Sequence, residues 1–328
     1  MTCADPRRSN RASGPVMTLA SGTVAGRRSV PVGHFTRYPW LGATYSVHPA
    51  FEGLAPGSPG VTMVDYTIAQ GLRVRERMDL LAEEWRPTTI ALLDRVGVGV
   101  GQRCLDVGCG GAHVTFELAR RVGEAGYVLG VDLDDELLQV ARAAAAGAQL
   151  PQVAFREGRA EDVTESDFDV AYSRLLLMHV RDPQRVVDVM AAAVKPGGLV
   201  VVEAAHFDAV FTVPPCPAND LILRNWYPEA VRRRGGDPNI GPRLPWLFAA
   251  AGLECLGIDA AQPAHLGGPL KQLSQLSAQM VCDAVVTEGI VGLDEFKRAH
   301  AELVAFTDDP LTLIAGPRLI QVWGRRPQ

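Results

Sequence analysis

From residue 102 onward, short apolar runs alternate with longer stretches whose apolar positions recur every three to four residues. The first kind reads as buried strand and the second as amphipathic helix. Strands are expected at 103–107, 127–131, 153–156, 168–172 and 199–203, with helices between them. Asp134 is placed to cap the helix after the second strand, and Asp182-Pro183 to open the helix before the fifth. Gly197-Gly198 stops that helix. Alternation at this spacing predicts a parallel α/β sheet.

Beyond 204 the alternation breaks. Residues 206–240, with PPCP and GGDPN inside, read as irregular, and Asp237 with Arg243 as a turn clasp. A helix at 242–252, a strand at 254–259, helical residues 269–308 and a closing strand at 318–323 follow. On the N-terminal side, 64–95 is amphipathic, with Pro87 ending one helix and Thr88 or Thr89 capping the next. Residues 31–60, rich in Pro, Gly and aromatics, read as an irregular arm, and 1–30 as a disordered tail. The expected division is a tail 1–30, an arm with lid helices 31–95, and an α/β domain 96–328. Insertions near 206–240 and 269–308 would cap the carboxyl ends of the strands, where open α/β sheets bind ligands.

Composition narrows the function classes. Hydrophobic residues make up 47% and charged residues 21%, as in ordinary globular proteins. A net charge of −5 argues against a nucleic-acid binder, and no apolar run has the length of a membrane span. The tight run Arg232-Arg233-Arg234 reads as a solvated segment. Six cysteines without CxxC or Cys/His ligand spacing read as reduced thiols, with no metal site. No apolar segment follows the N-terminal arginine pairs, so no secretory signal is read and a cytoplasmic location is expected.

The chemistry starts at CLDVGCGGAHV, residues 104–114. Glycines let a chain turn sharply and approach a ligand, and the helix that follows offers free N–H groups. His113 stands where a dinucleotide fingerprint has its last glycine, and no P-loop lysine follows. Asp132 ends the second strand, 22 residues beyond Gly110, where a carboxylate can accept ribose hydroxyls.

DVGCGGA, GVDLD, EGRAED, FDVAYSRLLLMHVRDP and VKPGGLVVVE occur in that order. Together they resemble the successive motifs of class I S-adenosylmethionine-dependent methyltransferases of the small-molecule kind, over about residues 72–204. RLIQVWGRRP more loosely resembles the closing strand. The resemblance implies a Rossmann-like, seven-stranded sheet with helices on both faces and a helical or irregular cap. It implies S-adenosylmethionine as cofactor, with Asp106, Gly108 and Gly110 around its methionine part and Ala112 in place of a third glycine. Asp132 and Leu133 would meet the ribose side. Ala160 with Glu161 or Asp162 would meet the adenine, Arg159 standing where an acid is usual. Ser173 and Arg174 would lie beside the methionine moiety, and Tyr66 or Arg77 would close over the cofactor carboxylate. Lys195-Pro196-Gly197-Gly198 is a structural turn in this family.

Methyl transfer needs a nucleophile aligned behind the methyl group, and a base only if that nucleophile must lose a proton. His206, at the exit of the fifth strand, and His179, after the fourth, are the candidate catalytic groups, and His48 is a weaker third. Tyr38, Trp40, Tyr45, Trp226 and Tyr227 would either pack the cap or line a pocket for a flat, mostly apolar acceptor. The expected partner is therefore a small aromatic or heteroaromatic metabolite of specialised metabolism, indole-, phenol- or polyketide-like. Neither nucleic acid nor membrane is expected, and a homodimer is compatible. The rival reading is a cyclase or isomerase that keeps fold and cofactor without net methyl transfer.

Overall fold

The computed structural model describes residues 35–38, 43–46 and 72–328, with side chains from residue 77 onward. The chain divides into two units, residues 1–54 and 55–328. In the first, β1 (Phe35–Tyr38) pairs antiparallel with β2 (Ala43–Ser46), Phe35 opposite Ser46 and Tyr38 opposite Ala43. The irregular arm expected here is thus partly a hairpin. FTRY and ATYS are rich in aromatic and β-branched residues, which suit a pleated strand more than their Pro- and Gly-rich flanks suggest. The expected tail 1–30, Trp40, His48 and Tyr66 lie outside the described residues.

The second unit opens with α1 (Leu72–Arg95), a single helix that passes through Pro87. This corrects the expected break. Proline removes one helical hydrogen bond, but Trp85 before it is buried, and Leu92 and Leu93 after it pack into the core on the sheet. Neither threonine caps a helix. Thr88 Oγ1 donates to the Trp85 carbonyl at 3.0 Å, and Thr89 Oγ1 donates to Glu203 Oε1 at 2.8 Å.

Five parallel strands follow: β3 (Arg103–Val107), β4 (Tyr127–Asp132), β5 (Val153–Glu157), β6 (Phe168–Arg174) and β7 (Val194–His206). Between them lie α2 (His113–Val122), α3 (Asp135–Gly147) and α4 (Pro183–Ala193). Both expected caps form: Asp134 accepts the Leu137 N–H at 3.1 Å, and Asp182 the Arg185 N–H at 3.0 Å.

After β7 come β8 (Phe211–Val213), α5 (Pro217–Asn219), a π-helical stretch Asp220–Trp226 and α6 (Tyr227–Arg233). Residues 206–240, expected to be irregular, are thus largely helical. Pro217 occupies a first-turn position, where no N–H is needed, so it starts this stretch, and Pro228 follows directly on the π-helical turn. The chain continues through α7 (Leu244–Ala250), β9 (Glu254–Ala261), β10 (Ala264–His265), α8 (Leu273–Thr287), α9 (Leu293–Asp308), β11 (Leu313–Ala315) and β12 (Arg318–Arg325).

The main sheet has seven strands in the order β5-β4-β3-β6-β7-β12-β9, and β12 runs antiparallel to both neighbours. This is the Rossmann-like arrangement expected. A second sheet, β10-β11-β8, belongs to the cap. Strand alternation assigns the two faces. Leu105, Val107, Val200 and Val202 join α4 and the cap helices in one core, while Cys104, Tyr172 and Val201 meet α1 and α2 on the other. Among the described residues, no helix is long and apolar enough to cross a membrane, and no group of three His, Cys, Asp or Glu could hold a metal.

Candidate cofactor site

The loop after β3 folds back over the end of β4. Gly108 and Cys109 donate their N–H groups to the Val131 carbonyl, at 2.8 and 3.1 Å. Gly108 has φ 72°, and a Cβ there would lie 2.9 Å from Leu176. Both conformation and space therefore require glycine. Ala112, at the N-cap of α2, has φ 61°, the left-handed region where glycine is relaxed. This is the physical meaning of the replaced third glycine: the loop keeps its shape at a cost of about 1 kcal/mol.

Asp132 is buried and ties loop to strand. Its Oδ2 accepts the Gly110 N–H at 2.7 Å and its Oδ1 the Asp134 N–H at 3.0 Å. Burial raises its pKa, and these N–H bonds oppose the rise. Each oxygen keeps acceptor capacity for a hydroxyl. Asp106 lies deeper. Its Oδ2 accepts from Thr115 Oγ1 at 2.7 Å, and burial pushes its pKa up to about 6, with Thr115 and Arg174 pulling it down.

A cleft opens beside the loop. Its walls include Gly108, Asp132, Leu133, Ala160, Glu161 and His179. Residues from four strand ends anticipated for cofactor or chemistry thus come together. Gly110 stands behind them, turned to Asp132. Arg159 is paired with Glu161 at 3.5 Å. The carboxylates, the apolar Leu133 and the backbone of the Ala160–Asp162 turn fit an adenosine: acceptors for hydroxyls, an apolar platform and a polar edge.

His179 is partly buried in the cleft wall, and desolvation, with the charges of Arg77 and Arg234, pushes its pKa down to about 4. It is neutral at pH 7 and a weak proton acceptor. His206 ends β7, opposite Arg318 of β12, and is not part of this cleft wall. Arg77 Nε donates to Ser277 Oγ at 2.9 Å, joining α1 to α8. Ser173 is fully buried in β6, and its hydroxyl has no partner among the described residues. Trp226 and Tyr227 are buried in the cap core, against Phe296 and Phe207 respectively. Tyr38 and Tyr45 fall on the hairpin of the other unit.

Several contributors escaped the sequence reading. Met78 Cε reaches within 2.8 Å of where a Gly110 Cβ would stand, so α1 lies on the loop. His113 Nε2 meets Asp79 Oδ1 of α1 at 2.8 Å. Arg181 and Arg234 also line the cleft, and Arg234 pairs with Glu288 at 2.6 Å. The arginine run at 232–234 is therefore only partly a solvated segment. Glu203, a lone acid in the apolar run VVVEAA, was the detectable signal of a buried polar network.

A family model for a methyltransferase domain matches residues 99–225. The chain is 37% identical over 119 residues to demethylmenaquinone methyltransferase of Bacillus cereus, covering 36% of this chain and 49% of that one. The Bacillus anthracis enzyme of the same name matches to the same extent. The chain thus spans about half the length of these curated relatives. In fold it is similar to a candidate methyltransferase of Bacillus halodurans, with TM-score 0.51 and 20% identity, over 74% of this chain and 100% of that one. Strand order and family model agree on a methyltransferase domain with a Rossmann-like sheet, matched over residues 99–225.

Proposed function

We propose that this protein binds S-adenosylmethionine in the cleft beside the glycine loop and transfers its methyl group to a small molecule. The observation that carries this reading is Asp132, a buried carboxylate fixed by two backbone N–H groups at the cleft wall. It presents ribose acceptors without further ordering. When bound, the cofactor supplies an electrophilic methyl group.

The remaining work falls to this chain. Leu133 and the Ala160–Asp162 turn would receive the adenine, and α1, through Met78 and Asp79, would close the methionine end from water. His179 is neutral and would orient a polar group more readily than remove a proton. His206 is the better-placed candidate for the acceptor, since it ends a strand where the cap begins. The acceptor we infer is an aromatic or heteroaromatic metabolite of specialised metabolism. Support comes from the cap inserted between β7 and β12 and from the aromatic-rich residues 31–60. The burial of Trp226 and Tyr227 leaves those two as framework. Buried free thiols at Cys104, Cys109 and Cys216 agree with a reducing, cytoplasmic setting.

The test is calorimetry with S-adenosylhomocysteine on the full chain, then incubation of aromatic acceptors with methyl-deuterated S-adenosylmethionine. Binding and transfer of the labelled methyl are expected. Absence of binding would overturn the cofactor reading, and a product without added mass would support a cyclase or isomerase instead.

A further inference from the structure

Glu203 is fully buried in β7, and its carboxylate receives hydrogen bonds from three other elements. Thr89 Oγ1 of α1 donates at 2.8 Å, Gln321 Nε2 of β12 at 2.7 Å, and the Tyr172 hydroxyl of β6 also donates to it. Arg174 Nη1 donates to Thr89 Oγ1 at 3.1 Å. A guanidinium can only donate, so the threonine proton is left for Glu203. A group that meets donors alone has the bonding pattern of a carboxylate.

Strand register extends this network into a stripe. Asp106 lies opposite Tyr172, Arg174 opposite Glu203, and Glu203 opposite Gln321. Asp106 is buried as well, two residues before Gly108, and Arg174 acts on it electrostatically. Two buried acids and one arginine thus lie on the face of the sheet covered by α1. The stripe carries surplus negative charge, and buried charge is costly until something compensates it.

S-adenosylmethionine carries a sulfonium charge that its demethylated product lacks. We propose that Glu203 is an electrostatic positioning residue that biases this site toward the charged sulfonium cofactor and against the neutral thioether product. The inference rests on the cofactor reading above. It assigns a role to a residue that the mechanism does not otherwise use. Product would leave more readily because losing the methyl group leaves the surplus charge of the stripe uncompensated.

The test compares affinities of the full chain for S-adenosylmethionine and S-adenosylhomocysteine by calorimetry. Glu203→Gln keeps the shape and removes the charge, so the preference for the sulfonium form should fall about threefold or more. Arg174→Gln should move the preference the opposite way. Thr89→Val, which loosens α1 without changing charge, should weaken both ligands alike. If Glu203→Gln does not fold, Arg174→Gln decides alone. Preference within about twofold of wild type in every variant that folds would overturn the inference. Failure of either ligand to bind wild type would instead remove the cofactor reading on which it stands.

Discussion

The two ends of the sheet hold their polar groups by different means. At the β3-β4-β5 end, Asp132 is fixed by backbone N–H groups of the adjoining loop and helix start. At the β7-β12 end, Glu203 is fixed by side chains of α1, β6 and β12, and His265 of the cap meets Glu84 of α1 at 2.7 Å. A backbone-held group is set once its own loop forms. A side-chain-held group waits for distant elements to dock. The first arrangement suits an invariant ligand, and the second lets a cap vary while the floor beneath it stays.

The sharpest way to break this division is to damage the cap and watch the cofactor. Trp226→Ala removes a buried ring packed against Phe296 and should cost about 3–5 kcal/mol in urea unfolding. Affinity for S-adenosylhomocysteine should stay within about twofold of wild type at temperatures where the variant is folded. A large loss of binding there would mean that the two ends are one site.

Acid titration should separate two groups at the cofactor end itself. Asp106 has its pKa raised to about 6, so it makes the fold lose stability as pH rises from about 4 to 6. His179 has its pKa lowered to about 4, so it makes the fold gain stability as pH rises from about 4 to 6.5. In the wild type the two oppose each other. Asp106→Asn should leave the rising slope and His179→Asn the falling one, each by about 2 kcal/mol across the window. Urea midpoints at pH 4.5 and 6.5 read the sign directly, and equal slopes in both variants would show that burial does not govern these groups.

A smaller effect is expected at Asp132. Its replacement by Ala should weaken S-adenosylhomocysteine at least about tenfold, or about 1.4 kcal/mol. Unchanged affinity in calorimetry would cancel the ribose assignment. The smallest is at His206, where Ala should slow turnover about fivefold, the worth of one hydrogen bond, and leave cofactor affinity alone. Intact turnover would make His206 framework.

The same contrast explains what could be read along the chain. Asp134 and Asp182 cap helices that begin beside them, and Gly108 must be glycine because of its own φ and its packing on Leu176. Such signals are local and can be read where they stand. Glu203 depends on Thr89, 114 residues away, and on Gln321, 118 residues away, which no short pattern records. Pro87 misled for a related reason: its local preference is real, but the burial of Trp85 and Leu92 around it prevails. The helical stretch 217–233 was hidden by Pro217, which starts it, and Pro228, which follows a π-helical turn that only the fold reveals.

The Glu203 network has an evolutionary consequence. One carboxylate answers to Thr89, Tyr172 and Gln321 at once, so losing any donor leaves a buried acceptor short, and losing the acid leaves three donors short. Such positions cannot drift singly. In chains that share this sheet, residues equivalent to 89, 172, 203 and 321 should change as a set, polar together or apolar together, while their surroundings vary one at a time.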